Sequence, residues 1–141
     1  MKKVPRIAGL VTALLLAACQ SGVSGASQTA DNSGGKWLLV AGTVQGKPLN
    51  TQNGKITLIR REDAFTGVSA INHYRVPVKI RDGRIEHTAP PTITLMAGPT
   101  ETMRLERSYL DAISVVKTLK YEGDRLTLSG EGIELQFRPA P

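Results

Sequence analysis

GPTETMRLERSYLDAISVVKTL (Gly98–Leu119) is the stretch of this chain whose apolar residues recur with a helical period. Leu105, Tyr109, Ala112, Ile113 and Val116 stand at i, i+4, i+7, i+8 and i+11, which puts them on one stripe of a helix. Arg104, Arg107, Ser108 and Asp111 fall on the opposite side. Gly98-Pro99-Thr100 supplies a start, since proline fits a first helical turn and threonine can cap it. Arg107 and Asp111 are spaced for an i,i+4 ion pair, a contribution of a few tenths of a kcal/mol. The spacing predicts a helix over about residues 100–116.

On both sides of that helix the period is two. Val76, Val78 and Ile80 alternate with Pro77, Lys79 and Arg81; Leu126 and Leu128 alternate with Arg125, Thr127 and Ser129; Ile133, Leu135 and Phe137 alternate with Glu134, Gln136 and Arg138. Such alternation belongs to antiparallel strands with one face on the core and one in water. Asn53-Gly54, Asp82-Gly83, Glu122-Gly123-Asp124 and Gly130-Glu131-Gly132 mark turns, and Ala89-Pro90-Pro91 a loop. Pro77 cannot donate to a ladder, so it predicts an edge or a bulge. Strands, one helix and three closing strands give an α+β domain: a mainly antiparallel sheet or partial barrel packed on one helix.

The domain occupies Lys36–Arg138, with residues 139–141 as a tail. Before it stands a different kind of sequence. Lys2, Lys3 and Arg6 precede Ile7–Ala18, 12 residues without charge. At ~1.5 Å per residue this run spans about 18 Å, short of the ~30 Å hydrocarbon core, so an export signal fits better than a membrane span. Leu16-Ala17-Ala18-Cys19 resembles the lipobox of bacterial lipoproteins. The resemblance implies cleavage after residue 18, diacylglycerol on the Cys19 sulfur and an acylated new amino terminus. Cys19 is the only cysteine, so no disulfide braces the chain. The alternatives are an ordinary secretory signal cut at the alanines and an uncleaved cytosolic start. Gln20 in place of aspartate favours the periplasmic face of the outer membrane, if the cell is Gram-negative. Residues 19–35, rich in Ser, Gly, Ala and Asn, read as the lipidated cysteine and a flexible tether.

The charge of +6 includes three cations of the signal, which leaves about +3 on the mature chain. Charges of both signs are interspersed and the aromatic residues are few and scattered, which excludes a nucleic-acid stripe or base-stacking platform. No cofactor is called for. His73 and His87 stand on different strands with Asp82 and Glu86 nearby, too sparse for a metal site. Glu101, Glu106 and Asp111 on the polar helix face, and Glu62-Asp63 in a loop, read as solvated charges rather than an acid/base pair. No G-x-S-x-G elbow or glycine-rich phosphate loop occurs. The chain reads as non-enzymatic, with no catalytic residue.

Asn72 is the polar residue to single out, because the strand pattern wants an inward side chain there. Its amide either ties down buried backbone groups at a bend or stands at the rim of a ligand groove. Met96 and Met103, with Leu95, either fill the core or line a site for a partner, since methionine adapts to variable surfaces.

Two segments together resemble the META domain family, which includes the HslJ heat-shock proteins. FTGVSAINHYRV (Phe65–Val76) is similar to its G-x-x-G-C-N-x-Y core, with Gly67, Asn72 and Tyr74 in place and the motif's cysteine missing. TLMAGPTETMRLERSYLDAISVVKTLKYEGDRLTLSGEGIELQF is similar to the second half, T-x-M-A-C-x followed by a helix and a strand meander. There Thr94, Met96 and Ala97 match, and Gly98 replaces the second cysteine. Both family cysteines are missing together, which fits two thiols that lie close and removes any redox or metal role for them. The resemblance implies a compact fold, often exported and lipid-anchored, linked to heat or antibiotic stress tolerance of the envelope, and without an established catalytic apparatus. Expected partners are the membrane through the anchor and an envelope protein or an acyl chain; the domain is expected to be a monomer. Alternatives are a purely structural stress lipoprotein, or an inhibitor of an envelope hydrolase such as lysozyme. Against the inhibitor stands the positive charge, since lysozymes are themselves cationic.

Overall fold

A computed structural model describes residues 35–141. The expected signal peptide, Cys19 and all but the last residue of the expected tether lie outside the described residues.

Ten strands form: β1 (Lys36–Val44), β2 (Lys47–Pro48), β3 (Thr57–Arg60), β4 (Ala64–Val68), β5 (His73–Arg81), β6 (Arg84–His87), β7 (Thr92–Ile93), β8 (Thr118–Glu122), β9 (Arg125–Gly130) and β10 (Ile133–Pro139). One helix, α1 (Thr100–Ile113), separates β7 from β8. Eight strands run in the order β10-β9-β8-β6-β5-β4-β3-β1, and β1 pairs back onto β10 from Trp37↔Pro139 to Val44↔Ile133. That last pairing turns the sheet into a closed antiparallel barrel rather than a partial one. Closure removes the free edges that an open sheet would expose. β10 runs to Pro139, one residue past the expected domain end, and the Ala140 amide donates to the Lys36 carbonyl at 2.8 Å.

The local sequence explains the hairpins. Asp82 and Gly83, with φ of 49° and 73°, make the tight left-handed turn that an Asp-Gly pair favours between β5 and β6. Asn53-Gly54 behaves otherwise: it ends a short 3-10 turn over Thr51–Asn53, and Gly54 is extended. Pro77 is not at an edge, because β5 is paired on both sides. It sits where the second partner of β5 changes from β7 (Tyr74, Arg75) to β6 (Val78–Arg81), so the donor it lacks is not missed. The seam between β6 and β8 is narrow, with Arg84↔Thr118 its one register pair. His87 Nε2 lies 2.8 Å from the Val116 carbonyl beside it.

The core is the barrel interior: Trp37, Leu39, Leu58, Phe65, Val76, Val78, Leu126, Leu128, Leu135 and Phe137 from the strands, joined by Leu105, Tyr109, Ala112, Ile113 and Val116. The Tyr109 ring meets Tyr74 on β5 at 5.5 Å and Phe137 on β10 at 6.5 Å, both edge-on. β5 and β10 are four strands apart in a ring of eight, so this one helical side chain spans the lumen. The helix therefore plugs the barrel. It ends at Ile113, three residues earlier than expected, where the Ser114 hydroxyl donates to the Leu110 carbonyl at 2.6 Å. Thr100 is its first residue rather than its cap; Pro99 holds the cap position and no side chain caps the end. The ion pair on its surface joins Glu101 to Arg104 at 2.9 Å, not Arg107 to Asp111.

Candidate functional site: a buried carboxylate clamp beneath an apolar groove

The Phe65–Val76 motif turns back on itself between β4 and β5, and each of its distinctive residues has a physical task. Gly67 passes so close to the Thr57 carbonyl of β3 that a Cβ would overlap its oxygen. That carbonyl accepts the Tyr74 hydroxyl at 2.8 Å. Since Tyr74 has one proton to give, Tyr109 Oη is the donor in the 2.7 Å contact between the two hydroxyls. Burial pushes both tyrosines well above their ordinary value, so this chain of hydroxyls is uncharged.

Ala70 lies at φ 88°, a region that side chains other than glycine rarely adopt. The bend aims two successive amides at the helix, and both meet one carboxylate there. Ile71 N and Asn72 N donate to Glu106 Oε2 at 3.1 and 2.8 Å, and the Ser69 hydroxyl donates to the same oxygen at 2.9 Å. Asn72 Nδ2 donates to Glu106 Oε1 at 2.6 Å. Glu106 is 7% exposed. Burial is the largest single influence on its carboxyl and pushes it upward, but the hydrogen bonds from Asn72, Ser69 and Ile71 together outweigh it. The carboxyl is held below the usual range and stays ionised.

Glu106 corrects the sequence reading, which placed it among solvated charges. The signal was available: Glu106 follows Leu105 and precedes Tyr109 by three, so it borders the apolar stripe. What the spacing does not contain is the Ser69–Asn72 bend, which comes from another part of the chain and supplies its donors.

Asn72 itself is 3% exposed and its amide is fully used. Beyond the bond to Glu106, Nδ2 donates to the Met96 carbonyl at 3.1 Å, while Oδ1 accepts from Met96 N at 2.7 Å and from the Thr94 hydroxyl at 2.9 Å. Thr94 Oγ1 in turn accepts from the His73 amide at 3.0 Å. Asn72 thus joins three separate pieces: the bend, the Thr94–Met96 strap and the helix. The two motifs singled out in the sequence meet in this one side chain.

Met96 and Met103 do not fill the core. They are 50% and 42% exposed, and with Leu95 at 97% and Ile93 at 36% they account for four of the six exposed large apolar residues among those described. Between the strap and α1 they line a groove of about 720 Å³, with Leu110 at one side and Asn72 and Glu106 at its floor. Arg104, Arg107 and Asp111 stand along its helical rim. Among the described residues no cluster of three metal-ligating side chains occurs, and no helix is long and apolar enough to cross a membrane. His73 and His87 lie on β5 and β6 as separate residues and share no site.

A small antiparallel barrel plugged by one helix, with a satisfied Asn–Glu clamp under an open apolar groove, defines the class of protein. The family model of the META domain matches residues 30–141, and the chain belongs to that family. META domains are not known as catalysts. Its fold is similar to a protein from Burkholderia xenovorans solved by NMR, with TM-score 0.62, 20% identity, and 81% of this chain and 87% of that one covered. A second NMR structure is similar at TM-score 0.56 and 14% identity, covering 78% of this chain and 92% of the other. No curated protein matches.

Proposed function

We propose that this META-domain protein is a lipid-anchored, non-catalytic binding module of the cell envelope, acting in envelope maintenance or in tolerance of heat or antibiotic stress. In a Gram-negative cell it sits on the periplasmic face of the outer membrane, held through Cys19. The observation that carries the reading is the groove. Ile93, Leu95, Met96 and Met103 are exposed together over a rigid hydrogen-bonded floor, and clustered exposed apolar residues mark places where something else binds. The polar groups on that floor favour binding over chemistry. Glu106 and Asn72 spend their hydrogen bonds on the protein itself, so neither is free to move a proton on a guest. The guest is apolar, an acyl chain or an envelope protein.

The test is a photo-crosslinker at position 95 of the acylated protein in native membranes, compared with one at Val115, an exposed apolar residue outside the groove. Adducts with one envelope protein or lipid from position 95, absent from position 115, are expected. Identical adduct patterns at the two positions would remove the groove from the function.

A further inference from the structure

From Thr88 to Thr100 the chain carries no charged residue, and every one of those 13 residues is exposed. Leu95 at 97% exposure does not stand alone in this run: with Ile93, Met96 and Met103 it makes an exposed apolar patch, and such patches mark interaction surfaces. The strap is not loose. β7 pairs with β5 through Ile93↔Tyr74 and Thr92↔Arg75, and Met96 is bonded through both N and O to Asn72. Leu95 is therefore presented by a backbone fastened on both sides of it.

We propose that this face docks on the lipid surface to which the chain is tethered. Leu95, Met96 and Met103 enter the boundary of the acyl chains, and Arg107, with Arg104, lies at the level of the lipid phosphates. The inference rests on the lipid-anchored reading above and names what the groove meets. Three observations favour lipid over other occupants. Only 16 residues, Gln20–Gly35, separate Cys19 from the start of β1. Even fully extended at about 3.5 Å per residue they reach roughly 55 Å, so the bilayer is present at high effective concentration. The domain as a whole is also cationic, while on the groove itself Arg104 and Arg107 are balanced by Glu106 and Asp111. Residues 36–141 hold 15 basic against 11 acidic side chains. Arg107 forms no ion pair among the described residues, and Lys55 is exposed next to Gly54, which packs beside Thr102 of α1. Finally, the arrangement of apolar tip and flanking long cations is the one by which side chains snorkel at an interface.

The mature chain suits a direct test. Of three methionines, Met1 precedes Cys19, so residues 19–141 hold only Met96 and Met103, both in the groove. Methyl-labelled at methionine and coupled through the Cys19 thiol to a maleimide lipid in nanodiscs, that chain reports two signals. In discs containing phosphatidylglycerol and a spin-labelled lipid, both signals are expected to broaden strongly. Leu95→Asn, or Arg104→Glu with Arg107→Glu, should restore them, as should salt raised from ~0.1 to ~1 M, which shortens the screening length from about 10 to about 3 Å. Sharp signals in the wild-type chain would overturn the proposal, and so would broadening that the variants and salt leave unchanged, which is what tethering alone produces. Sharp signals together with a position-95 adduct to a protein would assign the groove to a protein partner instead. The coupling is synthetic, so failure here is separate from failure of Cys19 to be acylated in the cell.

Discussion

Asn72 donates its side-chain amide to Glu106 Oε1 at 2.6 Å and its backbone amide to Glu106 Oε2 at 2.8 Å, so one residue of the β4–β5 bend grips both oxygens of a helical carboxylate. The pair fastens the plug to the barrel wall. Its other bonds, to Met96, fasten the strap that carries the groove.

Removing the carboxylate should therefore loosen both. Glu106→Ala leaves Ile71 N, Asn72 N and one hydrogen of Asn72 Nδ2 without an acceptor, while the Ser69 hydroxyl can turn to the Asn72 carbonyl at 3.1 Å. Unpaired buried donors are worth about 1–3 kcal/mol each, partly relieved by water, and we expect a total loss near ~3 kcal/mol. For a domain of this size that lowers Tm by roughly 15 °C. Glu106→Gln keeps one acceptor but turns an NH2 toward a donor, and should lose about half as much. Thermal unfolding of the two variants checks the ranking; equal stability with wild type would show that the clamp holds nothing.

The same pair sets a pH dependence. Because the folded Glu106 carboxyl lies below its unfolded value of ~4.3, its stabilisation is present in full above that pH. It is lost as pH falls through the folded value. The stability gap between wild type and Glu106→Gln should thus be constant near neutrality and close in acid. Asn72→Asp should show the opposite sign, since it sets a second carboxylate against the first. Its stability should fall as pH rises above ~3.9, when the two can no longer share a proton. Denaturant midpoints against pH would show both slopes.

Gly67→Ala tests close approach rather than hydrogen bonding. The new Cβ would overlap the Thr57 carbonyl oxygen, a backbone atom that no side-chain rotation can move away. Relief requires β3 and β4 to separate, which also breaks the Tyr74 bond to that oxygen. A loss of about 3 kcal/mol or more is expected, at the upper end for one substitution. A midpoint within the usual scatter of surface changes would contradict it.

For the anchor, Cys19→Ala should leave an unprocessed precursor and abolish incorporation of labelled fatty acid. Normal processing without lipid would instead indicate an ordinary secretory signal.

Much of the fold is legible in the sequence because the periods of strand and helix are local. Leu105, Tyr109, Ala112 and Ile113 announce a buried stripe, and all four are buried. The strand alternation at Val76 and Val78, at Leu126 and Leu128, and at Ile133, Leu135 and Phe137 matches the inward face of the barrel. Asn72 is legible as a polar residue at an inward position. The groove was half legible: Met96 and Met103 stand out as types, but only the course of the strap shows them exposed rather than packed.

Side-chain spacing along a few residues is enough to give the helical stripe of α1 and the alternation of β5, β9 and β10 with the side each turns to the core; the two-residue strands β2 and β7 are too short to carry a period. Tertiary structure alone decided that β1 meets β10 to close the barrel, that the helix enters the lumen through Tyr109, and that Glu106 is buried rather than solvated. These depend on groups far apart in the chain, such as Ser69–Asn72 and Glu106, whose hydrogen bonds exist only once packing has brought them together. A charged residue at the border of an apolar stripe can face either way, and the donors waiting at that border settle which.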